Sequence, residues 1–566
     1  MPDIATALDS VFAELSREFE IEEIESSIRT WRLVFQAEVG GKVEDVEMNL
    51  SFPTTFPYDI PRVEIRDDRF KYLPHIAFHS RKLCLYEDGV VYDAANIRGI
   101  VRDCIRRARR WVEEYANKDN SDEYAKEIKN YWEENYDNEE LVDDYWILLG
   151  KVPNQTCLLN AISYPVESLS EKNKYFERVV CACEQDEERL KSYKSMPCAT
   201  MLKVLYVASF RMPKAPPYSL TGINVIDKIS DDNDRRFFVK YINDHHKGYI
   251  LFPLGLDYAL GGVVIPKLNT SRKGFRPGAL RAISVLTGFE NTDKKLDRIL
   301  AKVYDADRIA QRTVGRMMEL RKFLVAGIGS VGSNLCYYLN GYNNAQFALV
   351  DRDLLNTDNI GRHLLGFNYL NQRKAYAVAH YLMQYRPDRK VKALAMNLQE
   401  IQAESINESS AIFVCTGDVM SEQWLLNNMV EGHIAVPAFV LWLEPYGISG
   451  IMIYANPYDK EGLKRLCEQA NDSFLNYCLI DRSEYDNGEK LTKREAGCNG
   501  SYALYSANDV TFFLSAMYPH IDNLLSSSST SKCYRWTGNI DIANQREIKL
   551  DSSEKLSKYD VLELPL

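Results

Sequence analysis

The sequence predicts an α/β protein whose C-terminal part is built on a parallel, doubly wound sheet. Three observations carry this. From residue 322 onward, apolar runs of strand length alternate with helical periodicity. The first of those runs leads straight into glycines at 327, 329 and 332. Residues 1–115 follow a different order, a helix, a strand meander and a closing helix, which reads as a separate α+β unit. With 566 residues the chain is too long for one core, and two to four domains are expected.

In order, Ile4, Leu8, Val11, Phe12, Leu15 and Phe19 give the stripe of an opening helix. Trp31–Val39 and Val46–Phe52 read as strands. A turn punctuated by Pro53, Pro57 and Pro61 follows, then a short strand at Val63–Ile65. Ile97, Ile100, Val101, Cys104, Ile105, Ala108, Trp111 and Val112 share one face of a helix over 97–115, with arginines opposite. Residues 116–145 are acidic and aromatic with few aliphatics. They read as a connector, with a loop at Lys118–Asp122 and an exposed helix at Glu123–Asn135. Residues 146–305 hold apolar runs such as Met201–Phe210, Tyr249–Leu256 and Ala259–Ile265, expected to form a mixed middle domain without a chemical signature. In the last domain, 306–566, strands are expected at Lys322–Ala326, Phe347–Val350 and Ala411–Cys415. Helices are expected at Val331–Leu339, Arg373–Tyr385 and Ser421–Met429, and Ser526–Ser531 reads as a mobile loop.

A net charge of −11 argues against nucleic acid as the main partner. Met1–Ser10 does not read as a signal peptide, and no run of about 18 apolar residues predicts a membrane span. The twelve cysteines show no C-x-x-C spacing, which disfavours a zinc ribbon. Free thiols in a reducing cytoplasm are expected.

Residues 323–332 read F-L-V-A-G-I-G-S-V-G. Glycines there permit a tight turn and let backbone N–H groups approach phosphate oxygens. Asp351 ends the next strand, where a carboxylate can hold ribose hydroxyls. These residues alone leave a nicotinamide-dependent enzyme and an ATP-dependent one equally open. The following stretch, D-R-D-L-L-N-T-D-N-I-G-R-H-L-L-G-F-N-Y-L-N-Q-R-K-A from 351 to 375, tips the balance. Hydride transfer has no use for polar and cationic groups at that point, whereas attack on an α-phosphate must neutralise a pentavalent centre and departing pyrophosphate. Asn359, Arg362 and Lys374 suit that task. V-C-T-G-D at 414–418 places Asp418 at the C-terminal edge of the sheet, where a carboxylate can hold Mg²⁺.

Together these residues resemble the adenylation domain of the ubiquitin-activating family, which includes the bacterial activators of sulfur-carrier proteins. The resemblance covers residues 308–445 and rests on the loop Gly327-Ile328-Gly329-Ser330-Val331-Gly332-Ser333, on Asp351, Asp353, Asn359, Arg362, Lys374 and Asp418. It implies a Rossmann-like fold and ATP as co-substrate. Asp351 would hold ribose, Asn359, Arg362 and Lys374 would contact phosphate, and Asp418 would organise Mg²⁺. An arginine before the glycine loop, often acting across a dimer, has two candidates here, Arg308 and Arg312. His363 reads as structural. The zinc-ligand cysteine pairs of many members are absent.

Two cysteines are candidate thioester carriers. Cys498 lies in K-R-E-A-G-C-N-G, between glycines and near Lys493 and Arg494, a setting that lowers a thiol pKa and admits substrate. Cys336, Cys415 and Cys478, by contrast, sit in apolar runs. Cys84 lies in R-K-L-C-L-Y, downstream of F-P-T-T-F-P-Y-D-I-P-R-V and P-H-I. That stretch resembles the ubiquitin-conjugating fold over residues 1–115, which implies Cys84 as thioester acceptor and His75 as a nearby support. The family's His-Pro-Asn motif is replaced by Pro74-His75-Ile76, so the oxyanion role of its asparagine has no evident holder; His79, Asn96 or a backbone N–H are the alternatives. Leu83-Cys84-Leu85 reads equally as a buried strand of a binding module.

A conjugating-like unit followed by an activating-like unit resembles the fused enzymes of bacterial anti-phage systems that signal with cyclic oligonucleotides. The resemblance implies a protein partner with a free C-terminus, the cyclic-nucleotide synthase, an amine-bearing acceptor, and a homodimer. Two other readings stay open: a sulfur-carrier-type adenylyltransferase with an accessory N-terminal domain, and a non-catalytic scaffold.

Overall fold

The computed structural model of the protein describes residues 4–25, 29–86, 89–134, 144–168, 174–194, 196–256, 258–316, 319–494, 501–551 and 556–566. It divides into two compact units, Met1–Val303 and Tyr304–Leu566.

The first unit opens with the helix Ile4–Leu15 and a four-stranded antiparallel sheet in the order Glu20–Glu25, Thr30–Val39, Lys42–Ser51, Arg62–Ile65. Strands two to four follow the predicted alternation; the first, E-I-E-E-I-E, is too charged to be read as a strand from composition. The helix Ile97–Tyr115 lies on this sheet and buries Ile100, Val101, Cys104, Ile105, Ala108, Trp111 and Val112 with Leu8, Phe12 and Leu15 of the opening helix. Asn96 caps it, its side chain accepting from Gly99 N–H at 2.9 Å.

Residues 116–133 are not a solvated connector. Two short helices, Ser121–Lys126 and Ile128–Glu133, bury Tyr124, Ile128, Tyr131 and Trp132. These side chains join one apolar cluster with Phe78 on one side and Leu205, Phe210 and Phe252 on the other. The spacing of 124, 128, 131 and 132 is a helical stripe of three aromatics and one isoleucine, which a count of aliphatics overlooks. The contact is fastened by polar groups. Trp132 Nε1 donates to Ile299 O at 2.7 Å, and the fully buried Arg298 donates to Trp132 O at 2.6 Å and lies over its ring. Residues 145–304 then form a closed barrel in the strand order Ala259–Ile265, Arg298–Tyr304, Tyr145–Leu149, Tyr175–Ala182, Cys157–Glu167, Thr200–Tyr206, Gly248–Leu256.

The second unit is built on an eight-stranded sheet in the order Lys390–Leu394, Ala345–Val350, Arg321–Ala326, Ala411–Val414, Ala438–Leu443, Ser449–Ala455, Lys532–Thr537, Val561–Leu564. The first five strands are parallel and the last three antiparallel. Both faces are covered: Phe323, Val325 and Phe413 enter one core, Leu324, Ala326 and Ile412 the other. That explains the unbroken apolar runs. The chain builds outward from Arg321–Ala326 in one direction and then returns to lay Ala411–Val414 on its other side. A topological switch point results, with the glycine loop and residues 415–418 leaving it together. Ser526–Ser531 is not a free loop. The helix Ala507–Ser527 runs into it, Asn456 Nδ2 donates to Ser528 O, and the buried Ser531 donates its N–H to Asp459.

Candidate functional site

At the switch point, Gly327 has φ of +83° and a Cβ there would meet the backbone of Cys415 and Thr416 at 2.7 Å. A Cβ on Gly332 would collide with Gly327 O. These two glycines let strand, loop and helix pack. Gly329 differs: a Cβ would meet nothing within 4 Å, so the space above it is open. It is the N-cap of the helix Ser330–Leu339 and offers no side chain to the first-turn N–H groups, which are left for an anion.

Gly329, Asn359, Arg362 and Lys374 line one cavity of about 420 Å³, with Thr416 and Gly417 across from them. Lys374 begins the helix Lys374–Tyr385, is 8% exposed, and places Nζ 3.3 Å from Asp353 Oδ2. Arg362 donates to Ala503 O at 2.8 Å and lies over the ring of Tyr505. Asn359 Oδ1 accepts from Asn356 N–H. Gly327, Gly332, Asp351, Asp353 and Asp418 are not among the cavity's lining residues. Asp351 accepts from Ile328 N–H and Asp353 N–H, both at 2.7 Å, and so ties the glycine loop to the next strand. Burial raises its pKa, against the pull of those N–H groups and of Lys374. Arg308 and Arg312 lie on the helix Ala306–Val314, and neither lines the cavity.

His363 takes a defined structural role. Its Nδ1 accepts from Leu365 N–H at 3.0 Å, so Nε2 carries the proton and donates to Ile328 O at 3.0 Å. Burial pushes its pKa down to about 4, leaving a neutral clamp on the glycine loop.

Asp418 is the N-cap of the helix Val419–Val430; its carboxylate accepts from Met420 N–H, Ser421 N–H and Ser421 Oγ. It stays exposed, so lone pairs remain for Mg²⁺, which needs only one or two carboxylates beside nucleotide phosphates. One turn on, Glu422 lines the cavity at 4% exposure, and burial pushes its pKa up to about 7, with the Asp418 charge adding to the effect. Sequence reasoning missed this residue. A carboxylate four positions after Asp418 was the available signal, but the cavity it lines also takes in Leu441–Leu443 and Ser473–Phe474, distant in the chain.

Cys498 lies outside the described residues. On either side of it, Thr492–Arg494 and Ser501–Ala503 pair as antiparallel strands, Arg494 opposite Ser501. The second strand continues to Ala503 and Tyr505, which line the cavity and hold Arg362. Tyr446, at φ +61°, pins both arms: its N–H donates to Leu504 O and its hydroxyl to Lys490 O.

Cys84 is exposed while Leu83 is buried, which removes the buried-strand alternative for the cysteine. Leu83 donates its N–H to Val63 O, and Cys84 N–H donates to His75 O at 2.8 Å. Residue 75 is held from three sides. Its backbone sits at φ +62°, its N–H donates to Tyr131 Oη at 2.9 Å, and Trp111 Nε1 donates to the preceding carbonyl of Pro74. The imidazole Nδ1 lies 3.1 Å from Glu127 Oε1. Tyr131 lies on the second of these short helices and Glu127 between the two, in the segment expected to be a connector. Of the oxyanion candidates, Asn96 spends its side-chain oxygen on the helix cap and His79 is exposed.

Two family models match this chain. Residues 306–439 match the ThiF family and residues 16–141 match Prokaryotic E2 family B. An E2-type domain and a ThiF-type domain share one chain. Curated relatives with matching segments are the ATP-dependent ubiquitin transferase-like proteins Cap2 of Enterobacter hormaechei and Pseudomonas aeruginosa. The first is 24% identical over 38% of this chain and 33% of the relative; the second is 31% identical over 25% and 26%. The matched regions thus span a third or less of those relatives. Among solved structures, a crystal structure of PaaA overlaps 38% of this chain and 69% of its own, at 14% identity and a TM-score of 0.29, too low to bear on function. The activating-like and conjugating-like resemblances thus have independent support at the expected ends. Among the described residues no helix is long and apolar enough to cross a membrane, and every cysteine is a free thiol.

Proposed function

We propose that this chain adenylates the C-terminal carboxylate of a protein partner, captures it on Cys498 as a thioester, and passes it to Cys84 for conjugation to an amine. The observation that carries this reading is the gathering of Gly329, Asn359, Arg362 and Lys374 around one cavity of a ThiF-type domain, in a chain that also presents an exposed cysteine in an E2-type domain.

The partner's carboxylate oxygen attacks the α-phosphorus of ATP and pyrophosphate leaves. First-turn N–H groups after Gly329, with Arg362 and Lys374, stabilise the charge that develops. Asp418 would hold Mg²⁺, which would supply further neutralisation of phosphate charge. The Cys498 thiolate then attacks the acyl adenylate, a thioester forms, and AMP leaves. Residues 492–494 pair with 501–503, and Ala503 lines the cavity. Cys84 takes the acyl group by thioester exchange, and an amine converts it to the amide, releasing the thiol. The reading places the chain in the cytoplasm as a homodimer, with the cyclic-nucleotide synthase of an anti-phage system as the adenylated partner.

The test is partner-dependent conversion of ATP to AMP and pyrophosphate by the full chain. The reading expects turnover that requires a free carboxyl terminus on the partner and is lost in Lys374→Ala. ATP cleavage to ADP, or none with any partner, would overturn it.

A further inference from the structure

We infer that Glu422 recognises the end of the acyl substrate, accepting a hydrogen bond from a donor on its last or next-to-last residue. The inference rests on the adenylation reading and adds the substrate chemistry that the cavity selects.

The topology sorts the cavity into two sides. Asp351 ends the strand on one side of Arg321–Ala326, and Thr416, Gly417 and Glu422 follow the strand on the other. Phosphates over the glycine loop lie between, so a nucleotide whose ribose reaches toward Asp351 leaves the second side to the acyl group. That side is walled by Trp442, Leu443 and Phe474.

Glu422 is the carboxylate among the described residues that line this cavity. It is 4% exposed, lines the cavity, and among the described residues its carboxyl has no hydrogen-bond partner. A buried carboxyl without a partner is costly, and such groups call for an explanation. The lysine and arginine of the cavity do not supply one: Lys374 faces Asp353, and Arg362 is engaged with Ala503 and Tyr505. Nor do the reacting groups complement the ionised carboxylate, since phosphate oxygens and the substrate carboxylate are themselves anionic acceptors. What complements Glu422 is a donor carried by the substrate's terminal residues, either a backbone N–H or the hydroxyl, amide or ammonium of a side chain. A tail that lacks the donor leaves the carboxyl stranded, which is how a polar site rejects an otherwise similar ligand.

The probe is a set of tetrapeptides with free C-termini, varied in their last two side chains and, in a second arm, N-methylated at the last two amides. Peptide-dependent AMP formation is read for wild type, Glu422→Gln and Glu422→Leu. The expected result is selection by wild type for one donor. The KM for the preferred peptide rises roughly 10- to 100-fold in Glu422→Leu and less in Glu422→Gln, with the KM for ATP changing by less than about threefold. Loss on N-methylation assigns the donor to the backbone, and loss on side-chain change assigns it to the side chain. Equal KM values for wild type and Glu422→Leu overturn the inference, as does indifference of wild type to every donor, or no peptide turned over while ATP still binds. Failure of wild type to bind ATP would sink the adenylation reading itself.

Discussion

His363 and His75 each stand beside a proposed reactive centre, and they are wired differently. His363 is neutral, buried, and bonded through both ring nitrogens to backbone groups of Ile328 and Leu365. His75 is partly exposed, turns Nδ1 to the Glu127 carboxylate, and has its own N–H fixed by Tyr131. The nucleotide loop is therefore set by backbone-directed bonds from residues close behind it in the chain. The Cys84 site is set by side chains from helices outside the sheet unit that carries the cysteine. The first site should feel acid through one buried imidazole. The second should feel mutations in residues 121–133 that touch no cysteine.

The largest effect expected is at Trp132, whose ring and carbonyl couple those helices to the barrel. Trp132→Ala should cost about 3–5 kcal/mol in denaturant unfolding and speed alkylation of Cys84 by iodoacetamide, while ATP binding persists. A cost below about 1 kcal/mol would mean the helices are a detachable connector after all.

Next comes Lys374→Ala, which should slow partner-dependent AMP formation by roughly 10²- to 10³-fold. Cys84 alkylation should be untouched. A change at Cys84 of similar size would show the two sites are not independently wired.

His363 sharpens the comparison through pH. Its pKa is about 4 in the folded chain against an ordinary 6.5, so the unfolded chain binds the extra proton between those values. The stability it contributes is complete above pH 6.5 and is lost as pH falls toward 4, by about 3 kcal/mol at 1.36 kcal/mol per unit. Scanning calorimetry at pH 7 and pH 5 should find a shallower acid loss in His363→Gln. An unchanged acid slope would contradict the neutral clamp.

The smallest effect is at Tyr131→Phe, which strands His75 N–H and frees Glu127. About 1 kcal/mol and a modest change in Cys84 reactivity are expected, with no change in ATP affinity.

How much of this was legible in the chain follows the same division. The gathering of Gly329, Asn359, Arg362 and Lys374 around one cavity could be read because the proposed phosphate chemistry asks for those residue types within one short stretch. The strands and the helix Ile97–Tyr115 could be read because burial on one face imposes its period. The helices at 121–133 could not, because their buried stripe is mostly aromatic and set among acids, and the barrel that receives it has no local signal. Ser526–Ser531 looked mobile by composition, but Asn456 and Asp459 pin its backbone from elsewhere in the chain. Glu422 was hidden for a like reason, since the cavity it lines is completed by residues 441–443 and 473–474, distant in the chain.

The central claim is the two-cysteine relay. The measurement is a non-reducing gel of the full chain with ATP, Mg²⁺ and the cyclic-nucleotide synthase proposed as partner, comparing wild type, Cys498→Ala and Cys84→Ala. The account predicts a thiol-sensitive adduct in wild type, none in Cys498→Ala, and an adduct without amide products in Cys84→Ala. Amide products that persist in either variant, or ATP cleaved to AMP with no adduct in wild type, would contradict it.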